Sequence, residues 1–157
     1  MSGAAASGVR VYPPVFFAGG IAAGFLLQRL WPLPLGGEAL RPALRAAGLA
    51  ALALWLAFDG WALALMLRAG TSPNPMRAST ALVTAGPYRV SRNPIYVGYV
   101  FLHLGVAFLA NTAWLLATLP PVLYLLRRLV ILREERYLEA TFGDAYRGYR
   151  GRVRRWL

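Results

Sequence analysis

The sequence predicts an all-α integral membrane bundle of about four transmembrane helices with a C-terminal amphipathic cytoplasmic helix, and three observations predict it. The 157 residues are 58% hydrophobic and only 15% charged, with a mean hydropathy of +0.49, more apolar than one small soluble core can absorb. The apolar residues fall into runs that supply about four bilayer passes of roughly 20 residues each. The arginines gather beside those runs rather than within them. Few residues remain for a separate soluble domain, so residues 1–157 are expected to form a single membrane domain.

Met1–Arg10 is small and polar and reads as a disordered lead. The run 15–30 is the first transmembrane helix. It is long for a signal core, and Trp31, Pro32, Leu33 and Pro34 follow it as a rigid loop in place of a small-residue cleavage site. The second helix, 43–67, is interrupted only by Arg45 and Asp59 and is long enough to cross with tilt. Between Arg68 and Arg92 the composition turns polar, opening with Thr71, Ser72, Pro73, Asn74 and Pro75, a connection that hydrocarbon would not tolerate unsupported. From Ile95 to Leu126 there is no formal charge. That span is too long for one helix, and Asn111 with Thr112 supplies the turn between helices 95–110 and 113–132. Residues 133–157 are rich in Arg, Glu and Tyr, and Ile131, Leu138 and Phe142 recur at helical spacing; they are expected to form a helix leaving the membrane along its surface.

With four crossings, Arg10, then Arg68, Arg77, Arg89 and Arg92, then nine arginines from Arg127 onward share one side, against Arg29, Arg41 and Arg45 opposite. The positive-inside rule puts both termini and the polar loop in the cytoplasm, in a chain expected to reside in a bacterial inner membrane. The formal charge of +11 is matched by anionic lipid headgroups. No base-reading module accompanies it, so nucleic acid is not an expected partner. The absence of cysteine and the single histidine, His103, exclude disulfides, thiolate chemistry and an ordinary zinc or haem ligand set, so no metal is expected. Chemistry would have to come from a bound organic cofactor.

One motif stands where the polar loop meets the third helix: Gly86-Pro87-Tyr88-Arg89-Val90-Ser91-Arg92-Asn93-Pro94-Ile95-Tyr96-Val97-Gly98. Pro94 suits a first helical turn and Asn93 a cap. The free amides of such a helix start favour a carboxylate or phosphate, and the rings of Tyr88 and Tyr96 could face a cation. The bland reading is a capped helix with an interfacial tyrosine and two topological arginines. A second cluster, Arg133-Glu134-Glu135-Arg136-Tyr137-Leu138, precedes Phe142-Gly143, Tyr146, Tyr149 and Val153-Arg154-Arg155-Trp156. Its bland reading is surface pairing of Glu134 and Glu135 with Arg127, Arg128 or Arg133.

Taken together, the two clusters resemble the signatures of the isoprenylcysteine carboxyl methyltransferase and phospholipid methyltransferase family: Gly-x-Tyr, Arg-Asn-Pro-x-Tyr-x-Gly, paired glutamates and a tyrosine-spaced tail. The resemblance covers Leu82–Leu157, about half the chain. It implies an S-adenosylmethionine-dependent methyltransferase acting on a lipophilic acceptor, such as an isoprenylcysteine-like carboxylate, a phospholipid amine or another membrane lipid. By the same resemblance the cofactor site would comprise Leu82, Val83, Tyr88, Asn93, Pro94, Ile95, Tyr96 and Glu134. Asn93 stands where the eukaryotic isoprenylcysteine enzymes have His, which removes an imidazole base at that position. Val130 stands where those enzymes carry a substrate-contacting Arg, leaving Arg127, Arg128 and Arg133, with the intramembrane Asp59, as candidate substrate contacts. No catalytic nucleophile or base is assigned. Two other readings stay open: an NADPH-dependent membrane reductase related to the sterol reductases, and a noncatalytic scaffold or lipid-binding protein. Gly20 and Gly24 have the spacing of close helix contact, and His103 reads as a hydrogen-bonded packing residue.

Overall fold

The computed structural model describes residues 7–157. Among them the architecture is all-helical: α1 (Pro14–Leu30), α2 (Arg41–Arg68), α3 (Pro94–Leu109), α4 (Ala113–Leu126) and α5 (Leu132–Arg152). A proline opens each of the first three helices, where its missing N–H costs nothing. Thr112 caps α4, its Oγ1 accepting from Trp114 N at 3.3 Å. Asn111 turns the chain as expected, with a left-handed φ of 49°. Its carboxamide accepts from Gly36 N at 3.1 Å and donates to Gly36 O at 2.9 Å, which locks the α3–α4 turn to the α1–α2 loop.

Three expectations change. Asn93 precedes α3 but makes no side-chain cap; its Nδ2 donates instead to Arg155 O at 3.0 Å. The tail does not start a separate helix at residue 133, because a π turn at Arg127–Ile131 joins α4 to α5 without a break, and the helix runs on from Ala113 to a kink at Gly143, beyond which a second helical segment reaches Arg152. At Gly143 φ is 53°, a value glycine adopts without a Cβ penalty. Residues 1–6 of the expected lead lie outside the described residues, whereas Ser7 and Val9 are buried. Ser7 Oγ donates to Pro75 O, and Arg133 Nη1 donates to Gly8 O at 2.9 Å. Residues 7–10 are thus part of the fold.

Two helix pairs make the bundle, α1 against α4 and α2 against α3, and α3 joins them. Glycines set the closeness of both seams. A Cβ on Gly105 would stand 3.1 Å from Gly48 O, and one on Gly24 would strike Leu115 at 2.5 Å. Gly20 meets Val122 and His103 in the same seam. The Gly20 and Gly24 spacing is therefore spent inside the chain, between α1 and α4. His103 is fully buried there, bonded through Nε2 to Leu115 O at 2.9 Å. The outer face is apolar, with Phe25, Leu26, Leu49, Leu54, Leu56 and Trp61 all exposed. Two helices, Glu38–Arg68 and Ala113–Arg152, are long and apolar enough to cross a membrane; α1 and α3 are apolar but shorter, at 17 and 16 residues.

Candidate functional site

At the end of the bundle where α2 stops and α3 begins, the loop 69–93, the start of α1 and the first turns of α5 enclose a cavity of about 240 Å³. All eight residues expected to hold a cofactor line it: Leu82, Val83, Tyr88, Asn93, Pro94, Ile95, Tyr96 and Glu134. Pro94 has no N–H, and the next two amides of α3 lack intrahelical acceptors by position, so the helix start offers donors beside the cavity. Tyr96 reaches across to α5, donating its hydroxyl to Glu134 Oε2 at 2.7 Å. That bond joins the two sequence clusters through their side chains.

Glu134 lies just past the apolar stretch 113–132. Burial pushes its carboxyl up to about 7, the Tyr96 hydroxyl pulls it the other way, and the neighbouring Glu135 adds to the rise. Burial also raises the phenol of Tyr88, reinforced by Tyr149, Glu134 and Asp59. Tyr88 therefore stands within electrostatic reach of two carboxylates on different helices.

Glu135 does not make the surface pair that its sequence allowed. It is buried and takes two guanidinium groups: Arg155 bidentately, at 2.8 Å from each carboxylate oxygen, and Arg92 Nη2 at 3.2 Å. The extended tail beyond α5 is thereby strapped to the loop. Arg92 N donates to Arg154 O at 2.9 Å and Ser91 Oγ to Arg155 O at 3.2 Å. Tyr149 closes the same wall by donating its hydroxyl to Tyr88 O at 2.7 Å, and Tyr137 accepts from Ser79 N at 2.8 Å. Arg92, Glu135, Tyr99, Tyr146 and Tyr149 all line the cavity, and none of them was among the expected site residues. The Tyr146 and Tyr149 spacing was visible in the sequence, but nothing near Arg92 signalled its partner 43 positions away.

The candidate acceptor contacts divide. Asp59 lines the cavity; Arg127, Arg128 and Arg133 do not. The π turn rotates Val130 and Ile131 into the core and leaves Arg127 and Arg128 on the outside, with Arg128 5.9 Å from the centroid of the Tyr124 ring. Arg133 is taken by Gly8 O. No arginine stands within ion-pair distance of Asp59 among the described residues.

The model of the phospholipid methyltransferase family matches residues 43–145. The chain belongs to the phospholipid methyltransferase family. The match begins at the second residue after Arg41, so it takes in α2, where the sequence carries no legible signature, and extends through the Tyr96–Glu134 bridge into α5. An uncharacterized protein of Haemophilus influenzae is similar as well, 46% identical over an alignment of 63 residues that covers 37% of this chain and the whole of that relative. No solved structure gives a significant match. Membership makes methyl transfer at membrane lipids the activity expected of the chain, and the two long apolar helices agree with a membrane location.

Proposed function

We propose that this phospholipid methyltransferase family member uses S-adenosylmethionine to methylate a lipophilic acceptor drawn from the bilayer. What supports the reading is a single convergence: two clusters about 40 residues apart in sequence close on one cavity and are joined by the Tyr96–Glu134 hydrogen bond. The polar atoms left without partners also suit a ligand of mixed charge. Asp59 Oδ1 and both Nε and Nη1 of Arg92 are buried with no hydrogen-bond partner, a costly arrangement unless a ligand answers it.

In this reading the amides at the start of α3 and the free donors of Arg92 hold a carboxylate. Glu134 accepts from hydroxyls or an ammonium, Leu82 and Val83 cover a flat apolar ring, and the faces of Tyr88 and Tyr96 receive a cation. The cofactor supplies a methyl group on a sulfonium; its transfer to an acceptor lone pair leaves the carbon–sulfur bonding pair on sulfur as a neutral thioether. The chain contributes positioning and exclusion of water, which such a displacement mainly needs. α1 packs on α4 and α2 on α3, so the two helices flanking the cavity, α1 and α2, are left apart. Tyr12, Leu63 and Met66 line the cavity on that side, an apolar way in for a lipid tail. The arginine distribution directs the cavity to the cytoplasm, where the cofactor is found. The acceptor would be a carboxylate, amine or other nucleophile borne by a membrane lipid or prenyl-like chain.

Calorimetric titration of S-adenosylmethionine and, separately, NADPH into detergent-purified protein tests the proposal, with Tyr96→Ala and Glu134→Gln as controls. Saturable S-adenosylmethionine binding that both substitutions weaken is the expected result. Binding of NADPH alone would replace the proposal with a reductase, and binding of neither with a scaffold or lipid-binding protein.

A further inference from the structure

Asp59 is the one charged residue buried within the apolar stretch of α2, and its surroundings are specific. Its Oδ2 accepts from Trp55 Nε1 at 2.9 Å, one turn earlier on the same helix. Its Oδ1 is buried with no partner. On the far side lies Gly98 of α3, so close that any Cβ there would collide with the carboxylate. Gly98 therefore admits the carboxylate to the α2–α3 seam, and the carboxylate in turn lines the cavity.

A carboxylate at membrane depth is expensive unless a cation compensates it. The protein supplies none, since no described arginine pairs with Asp59. Another part of the cavity wall is differently furnished. There Glu134, the Arg92 donors and the first amides of α3 can answer both charges of an amino-acid group. A cationic ligand group level with the second turn of α3, where Gly98 meets the carboxylate, and beside the apolar lining of Leu63 and Met66 would supply the charge that Asp59 lacks.

We infer that Asp59 is the counter-ion for the sulfonium of the bound cofactor, an assignment that rests on the methyltransferase reading of the cavity. Asp59 then distinguishes the two states of the cofactor by charge: it attracts the cationic methyl donor and has no hold on the neutral thioether left after transfer. This discrimination favours exchange of spent for fresh cofactor without any movement of the helices.

The test compares three ligands by calorimetry in the detergent-solubilised full chain: S-adenosylmethionine, sinefungin, whose amine takes the place of the sulfonium, and S-adenosylhomocysteine, which is neutral there. In Asp59→Asn the carboxamide oxygen still accepts from Trp55, so the seam keeps its hydrogen bond and only the charge is lost. The expected result is that the affinity for the two cationic ligands, measured relative to S-adenosylhomocysteine, falls roughly tenfold or more, while S-adenosylhomocysteine binds as it does to the wild type. Asp59→Ser, which relieves the contact with Gly98, serves if the carboxamide crowds the seam. An unchanged ratio, or equal weakening of all three ligands, overturns the assignment and leaves the methyltransferase reading standing. Failure of all three to bind the wild type overturns both.

Discussion

The two halves of this molecule are held together by different physics. In the membrane half, α1–α4 and α2–α3 meet through glycines at distances where even a methyl group has no room; cohesion there is close packing between apolar helices. In the other half, the loop, α5 and the tail meet through a buried Arg92–Glu135–Arg155 cluster, a tail-to-loop backbone bond and two tyrosine hydroxyl bonds, while a third, from Tyr96 to Glu134, ties α5 to the start of α3. The first arrangement fixes a scaffold. The second builds a cavity whose polar atoms are not all satisfied, a surplus that the proposed ligand would answer.

If the division is real, substitutions should separate the halves. The largest effect is expected at Glu135. The side chains of Glu135 and Arg92 are 11% and 9% exposed, and removing one member of a buried pair leaves an uncompensated charge, typically at a cost of about 3–5 kcal/mol. Glu135→Ala should lower thermal stability by that order and speed amide hydrogen exchange in residues 79–93 and 153–157. Protection across α2 and α3 should be retained. Equal deprotection of all the helices would show that the halves are one cooperative unit.

The converse substitution is Gly105→Ala. Its Cβ would stand 2.7 Å from a Leu52 methyl and 3.1 Å from Gly48 O. The leucine can yield but the backbone cannot, and overpacking of this kind costs about 1–3 kcal/mol. Denaturant unfolding should register that loss. Cofactor affinity, measured where the variant is still folded, should stay at the wild-type value.

A smaller effect is expected at the junction. Tyr149 donates to Tyr88 O from α5 to the loop, and Tyr149→Phe deletes that bond while keeping the ring. The net loss should be about 1 kcal/mol in thermal unfolding. Affinity should also fall, because Tyr88 lines the cavity.

The same division marks what the sequence made legible. The helices were readable because apolar runs are local signals, and so are Pro94, at the start of α3, and Asn111–Thr112, at the tight turn. The eight residues expected to hold a cofactor came from motif resemblance, and all of them line the cavity. What stayed hidden was long-range. Asn93 looked like a cap because the local sequence cannot show that Arg155 O competes for its amide. Glu135 looked like a surface residue because Arg92 and Arg155 reach it only after the tail folds back. Arg127 and Arg128 looked like acceptor contacts because a π turn, which shifts the face of every later residue, leaves no mark in composition.

The smallest expected effect concerns pH and separates the halves most cleanly, since it needs no change in packing. Glu134 has its carboxyl raised to about 7, so near neutral pH it is partly protonated in the free protein. The ionised form is the one that accepts from a ligand hydroxyl or ammonium. Affinity for S-adenosylmethionine should therefore rise with pH, by about threefold between pH 6.5 and 7.5 for a group titrating there, and binding should release protons, detectable as a dependence of the heat on buffer ionisation. Stability runs the other way. Because the folded state holds a proton that the unfolded state has lost above the ordinary carboxyl range, this group's contribution is fully present at low pH and declines as pH rises through about 7. Glu134→Gln should flatten both dependences. If affinity in that variant kept the wild-type slope, the titrating group would belong to the ligand, and the tension between binding and stability would have to be sought elsewhere than at Glu134.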